Sequence, residues 1–202
     1  MSQATEIMNR ISAAEPGTVF IAADFSDLGP RDNVNQVLSR LVRRGDVIRA
    51  VRGVYGKPKW SRYFKVWLQP SPNKVAHGIA RMNGWVISPS ADYALNKLGL
   101  DNQVPARYEY ASTGPSRVYK YGQFDILMHH HATRDLIGCS PITMLVNLAL
   151  RALGRDEVSE ALAERLAGQL TSEDIEAYFE ETRNNSSWIH EFARCMKEEK
   201  GR

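Results

Sequence analysis

Cysteine is scarce: the 202-residue chain has two, Cys139 and Cys195, 56 positions apart and in no CxxC pair. That argues against a disulfide-stapled scaffold and against paired-thiol zinc motifs, and it predicts free thiols in a reducing compartment. Long apolar runs are also missing. No stretch reaches the roughly 18 consecutive apolar residues that a membrane helix requires, so no membrane partner is expected. The opening Met1-Ser2-Gln3-Ala4-Thr5-Glu6 has neither a basic cluster nor a following apolar block, which predicts no secretory signal and a cytoplasmic chain. There is no internal repeat or low-complexity tract, and no Gly-rich phosphate loop, HExxH or GxSxG signature. On those grounds neither an enzyme nor a cofactor is expected.

What is present is a globular composition, 43% apolar and 24% charged, in a chain long enough for one medium or two small domains. The net charge of +3 hides an uneven distribution. Residues 1–30 carry one Lys/Arg against four Asp/Glu, and residues 31–62 carry nine against two. Residues 63–134 carry eight against four, and residues 135–202 eight against thirteen. A basic block between acidic ends calls for a polyanion at one place on the molecule.

Apolar periodicity divides the chain into three parts. In the first, residues 1–69, Ile7, Ile11 and Ala14 mark a helix ended by Pro16-Gly17, and Val19-Phe20-Ile21 is a short apolar segment. A brief helical turn from Asp24 to Leu28 closes at Gly29-Pro30. A helix over 31–44 then carries Val34, Val37, Leu38, Leu41 and Val42 as one stripe, with Gly45 as its C-terminal cap. Val47-Ile48-Arg49-Ala50-Val51, a turn at Arg52-Gly53 and Val54-Tyr55, stopped by Pro58, read as a hairpin. In the second part, residues 70–134, Pro70-Ser71-Pro72 reads as a linker before a helix over 73–82. A strand at Trp85-Val86-Ile87 and a helix over 90–98 follow. Strand candidates at 107–112, 117–121 and 124–129 suggest an antiparallel meander. The third part, residues 135–202, is helical. Ser140-Pro141 starts one helix, Asp156 is the expected cap of the next, and Thr171 to Asp174 resembles a capping box. The expected fold class is α+β: an N-terminal winged helix-turn-helix, an α/β middle domain with a meander, and a helical C-terminal tail.

On a wheel at about 100° per residue the stripe of the 31–44 helix centres on Leu41. The opposite face displays Asn33, Gln36, Ser39, Arg40 and Arg43, with Arg31 and Arg44 beside them. Arginine suits guanine and the amides suit adenine, so this set can read base edges. Arg49 and Arg52 lie on the hairpin, with Lys57, Lys59 and Arg62 beyond it. Helix, turn, helix and basic wing form the plan of a winged helix-turn-helix, whose second motif helix enters the major groove of double-stranded DNA while the wing touches backbone or minor groove. The competing reading is that these arginines merely solvate a helix face. A solvation role needs no sign bias over thirty residues, which favours DNA.

The run Asp24-Phe25, Leu28-Gly29, Arg31, Val34, Leu38-Ser39-Arg40-Leu41, Gly45, Ile48-Arg49 and Arg52-Gly53-Val54-Tyr55 resembles the N-terminal winged helix of AbiEi-type antitoxins. These belong to type IV toxin–antitoxin pairs of bacterial abortive-infection systems. The likeness extends through Ile79-Ala80-Arg81, Ala94-Leu95-Asn96, Leu98-Gly99-Leu100, Gln103-Val104-Pro105, Tyr108 and Thr113-Gly114-Pro115-Ser116-Arg117, and covers residues 18–130. Its winged-helix part is a generic pattern, and the Leu-Gly-Leu, Gln-Val-Pro and Gly-Pro-Ser-Arg series is the more specific one. The resemblance implies a repressor of its own operon that counteracts a nucleotidyltransferase-like toxin without a stable complex. It does not extend to the helical tail.

Other features have weaker claims. His129 and His131 share a face of an extended strand, as two metal ligands do, but no third ligand stands at helpful spacing, and a polar strand exit is the simpler reading. Asp24 and Asp27 read as helix-start residues rather than a carboxylate pair. Tyr108, Tyr110, Tyr119 and Tyr121 suit packing or an aromatic platform. Trp188, Ile189, Phe192 and Met196 suit core or the seam of a homodimer rather than a cofactor site. The sequence thus predicts a DNA-binding transcriptional regulator. The alternatives are a stand-alone winged-helix factor without a toxin and a His-dependent metal enzyme acting on nucleic acid.

Overall fold

The computed structural model describes residues 2–103 and 106–201. Val104 and Pro105, the end of the Gln-Val-Pro series, lie outside the described residues. The fold is mixed α/β, and the chain divides into two compact units, residues 1–85 with 118–126 and residues 86–117 with 127–202.

The first unit opens with helix α1 (Gln3–Ala13), started by Ser2, whose hydroxyl accepts the Thr5 N–H. Strand β1 (Val19–Ile21), a 3-10 segment (Ala22–Leu28), helix α2 (Arg31–Arg44) and strands β2 (Ile48–Val51) and β3 (Val54–Gly56) follow. The stripe of α2 is buried as its period predicts: Val34, Val37, Leu38 and Leu41 pack with Ile7, Ile11, Phe20, Phe25 and Tyr55. Gly45 ends α2 at φ 81°, a left-handed cap that a β-carbon would strain. The three strands form an antiparallel sheet in the order β1-β3-β2, with Phe20 opposite Tyr55 and Tyr55 opposite Arg49.

Two departures follow. A second hairpin, β4 (Lys59–Ser61) and β5 (Val66–Leu68), occupies a stretch in which no strands were expected. Pro70-Ser71-Pro72 is not a linker either: Ser71 caps helix α3 (Pro72–Asn83) and Pro72 is its first residue. Helix α3 buries Val75, Ala76, Ile79 and Ala80 and packs on β1 and β3. A β-carbon at Gly78 would lie 2.6 Å from Val19 and 2.9 Å from Val54, so the helix approaches the sheet as only glycine allows. The first unit therefore continues past the expected break at residue 69 to Trp85.

In the second unit, strand β6 (Ile87–Pro89) pairs antiparallel with β7 (Tyr108–Ser112), and helix α4 (Ala91–Lys97) lies between them in sequence. Strands β8 (Arg117–Tyr121, of which 118–121 belong to the first unit) and β9 (Phe124–His130, of which 124–126 do) give the strand order β6-β7-β9-β8. The expected meander is thus corrected: β9, not β8, neighbours β7. Strand β9 is the longer strand and buries Ile126 and Met128, whereas β8 is largely exposed and forms the edge. Helices α5 (Pro141–Leu153), α6 (Glu160–Gln169), α7 (Ser172–Glu181) and α8 (Ser187–Lys200) build the rest. Asp156 does not cap a helix; it sits in a 3-10 turn, and Ser159 caps α6. The Thr171–Asp174 capping box on α7 forms in both directions. Ile189, Phe192 and Met196 lie in the core with Tyr178, Leu148 and Leu166. Tyr110 and Tyr121 are buried, and burial pushes each phenol up to about 12.

Candidate nucleic-acid interface

Helix α2 presents its unburied side beside the β2–β3 hairpin, and the two are joined by a hydrogen bond: Arg49 Nη2 donates to Ser39 Oγ at 3.1 Å. The same guanidinium lies 5.7 Å from the Tyr55 ring centre on the neighbouring strand. Between helix and hairpin runs an open groove of about 620 Å³, lined by Arg31, Asn35, Arg49 and Arg52 among others. Pro30 gives α2 no side-chain cap, so the groove meets a helix start whose dipole favours negative charge. Asp32 also lines the groove, in that first turn. The turn that carries Arg52 is seated on Met82 of α3: Gly53 has φ 83°, and a β-carbon there would lie 2.5 Å from the Met82 sulfur.

The remaining expected contacts divide clearly. Asn33, Gln36, Arg40 and Arg43 are exposed along α2, and Arg40 Nε reaches the Gln36 carbonyl at 3.4 Å. Asn33 and Asn35 differ by two residues, or about 160° round the helix, and it is Asn35 that faces the hairpin side. Sequence reasoning missed Asn35, because which flank of α2 meets β2 is a tertiary fact. Arg44 is exposed but ion-paired to Asp46 at 2.8 Å. Lys57 is a correction. Its ammonium donates to the Ser12 and Ala14 carbonyls at 2.6 and 2.7 Å, closing the C-terminal end of α1 instead of facing outward. Lys59 is exposed on β4, and with Arg62 and Lys65 it makes the second hairpin cationic.

Electrostatically this region is one-sided. Residues 47–91 contain eight Lys/Arg and no Asp or Glu. Two nearby arginines, both exposed, are engaged in ion pairs within the first unit. Arg81 of α3 pairs with Asp24 at 2.7 Å and donates to the Val19 carbonyl, and the Asp24 carboxylate accepts the Ile21 N–H. Arg10 of α1 forms a two-pronged pair with Asp27 at 2.9 and 2.7 Å. The hydrogen bonds from Arg10 hold the Asp27 carboxyl below its ordinary range. Asp24 thus stands at the start of the 3-10 segment that precedes α2, as expected, whereas Asp27 lies near that segment's end and ties it to α1.

The histidine run does not assemble. His129 Nε2 lies 3.5 Å from Glu109, His130 is engaged with the Gly114 carbonyl and Ser116, and burial pushes the His131 imidazole down. Among the described residues, no three His, Cys, Asp or Glu side chains are grouped so as to hold a metal ion. Nor is any described helix long and apolar enough to cross a membrane.

A family model described as "Family of unknown function (DUF6088)" matches residues 6–178. The chain belongs to that family. The DUF6088 match begins within α1 and ends within α7, so it takes in α2, both hairpins and α3, and leaves α8 outside. No curated protein and no solved structure matches the chain.

Proposed function

We propose that this DUF6088 chain is a sequence-specific DNA-binding regulator in which residues 1–69 act as a winged helix-turn-helix. The 3-10 segment and α2 take the place of the two motif helices, and the β2–β3 hairpin takes that of the wing. The observation that carries the reading is the convergence of Arg31, Asn35, Arg49 and Arg52 on one groove, flanked by Gln36, Ser39, Arg40 and Arg43 on α2. In this reading α2 enters the major groove and reads base edges, while Arg49, Arg52 and Lys59 hold phosphates. Counterion release then supplies most of the affinity.

The resemblance to AbiEi-type antitoxins adds a target and a counterpart: the protein represses its own operon and counteracts a nucleotidyltransferase-like toxin. Footprinting on its own upstream region tests the first half. Co-expression of the neighbouring gene, with growth as readout, tests the second. Protection of one site and rescue of growth support the whole proposal; protection without rescue leaves a stand-alone regulator.

A further inference from the structure

The β4–β5 hairpin is not explained by base reading through α2. It packs principally on itself, and its apolar side chains face solvent: Tyr63 is 87% exposed, Phe64 65%, Trp67 65% and Trp60 46%. A lone two-stranded hairpin is marginally stable in water, and a row of exposed rings on one marks a surface that something covers. Trp60 and Trp67 are directly opposed, ring centres 5.3 Å apart and edge-on. The turn presents Tyr63 and Phe64 edge-to-face at 4.9 Å between Arg62 and Lys65. Lys65 adopts φ 54°, a left-handed conformation unusual for a side-chain-bearing residue. The base of the ribbon is fixed: Gly56 lies against the Pro70 ring with no room for a β-carbon, and the Pro70 carbonyl accepts the Tyr121 hydroxyl at 2.8 Å.

We propose that this hairpin is a minor-groove wedge: Tyr63 and Phe64 enter a base-pair step of duplex DNA beside the stretch read by α2, unstack it and bend the duplex. The inference rests on the DNA-binding reading and extends it. Charge selects the occupant. Lys59, Arg62 and Lys65 lie among the rings without an acidic residue, and they continue the cationic run that begins at Arg49. Two residues, Lys57 and Pro58, separate the ribbon from β3, so it projects from the same unit as the groove. Its tip carries the two rings foremost, which is the arrangement by which apolar wedges enter a narrow groove while flanking cations hold phosphates.

The test uses the full chain and a duplex of the footprinted upstream region, end-labelled with a fluorescent donor and acceptor. Wild type should raise energy transfer by bending the duplex. Tyr63→Ser with Phe64→Ser should abolish that rise and weaken binding by about tenfold, while circular dichroism and melting stay unchanged because the rings are exposed. Arg40→Ala should weaken binding but leave the residual complex bent. A duplex bound without bending, or bent equally by the double variant, overturns the wedge and leaves the α2 reading standing. A chain that binds no duplex overturns both. Binding to vesicles of equal phosphatidylglycerol and phosphatidylcholine that the double variant loses, with DNA bending intact, assigns the hairpin to a lipid surface and overturns the wedge.

Discussion

Arg49 Nη2 donates to Ser39 Oγ at 3.1 Å, and this one bond ties the first strand of the hairpin to the exposed side of α2. It joins a residue proposed to hold phosphate to one proposed to face bases, so the two should not act independently. Arg49→Ala and Ser39→Ala should each weaken DNA binding, and the double variant should lose less than the sum, with a coupling of about 0.5–1.5 kcal/mol. A double-mutant cycle by fluorescence anisotropy measures it; strict additivity would show that the contact plays no part in binding.

Arg40 and Arg43 stand exposed on α2. If each pairs with a base edge, replacement by Ala should cost about 1–3 kcal/mol on the cognate site and much less on random duplex. Equal losses on both would reassign them to phosphate.

Lys57 gives the opposite pattern. Its bonds to the Ser12 and Ala14 carbonyls belong to the fold. Lys57→Ala should therefore lower stability by about 1–2 kcal/mol and leave the salt dependence of DNA binding unchanged. Urea unfolding paired with a salt titration checks both halves, and a shallower salt slope in the variant contradicts the assignment.

The Arg10–Asp27 pair predicts an acid response of definite sign. Asp27 is held below its ordinary value in the folded state, chiefly by the hydrogen bonds from Arg10. Its contribution is complete above the unfolded carboxylate value, about 3.9, and is lost as pH falls through the lower folded value. Melting temperature followed downward from about pH 5 should fall more steeply for wild type than for Asp27→Asn. Parallel curves would remove the pair from the stability of this unit.

In the second unit, Asp135 is 2% exposed and accepts from Arg151 Nη2 at 3.2 Å and Asn185 Nδ2 at 3.1 Å. Arg151→Ala leaves that carboxylate buried without its cation and should destabilise the unit by about 3 kcal/mol, read by denaturant unfolding. Asp135→Asn with Arg151→Met should recover much of the loss.

What was legible in the chain was periodic or punctuated. The five apolar positions of α2, the Gly45 cap and the Arg52-Gly53 turn each follow from local rules, and the structure has them in place. The β4–β5 hairpin escaped because its turn, Arg62-Tyr63-Phe64-Lys65, contains no Gly, Pro, Asn or Asp, and a lysine carries the positive φ. Pro70-Ser71-Pro72 has the composition of a linker and the geometry of a helix start, and what distinguishes them is Gly78 lying against Val19 and Val54. The position of β9 between β7 and β8 depends on long-range pairing that turn residues do not encode. At the interface, residue types were readable but partners were not. Lys57 is a basic residue after a hairpin, and only tertiary structure brings it to α1 carbonyls more than forty residues away.

The central claim, that α2 and the basic hairpin read DNA, is tested most directly by binding of the full chain to its own upstream duplex and to a scrambled duplex of equal length across a salt series. The account predicts affinity that falls steeply with salt on both, tighter binding to the upstream duplex, and loss of that preference in Arg40→Ala. Binding that ignores salt, or no preference between the two duplexes in wild type, contradicts it.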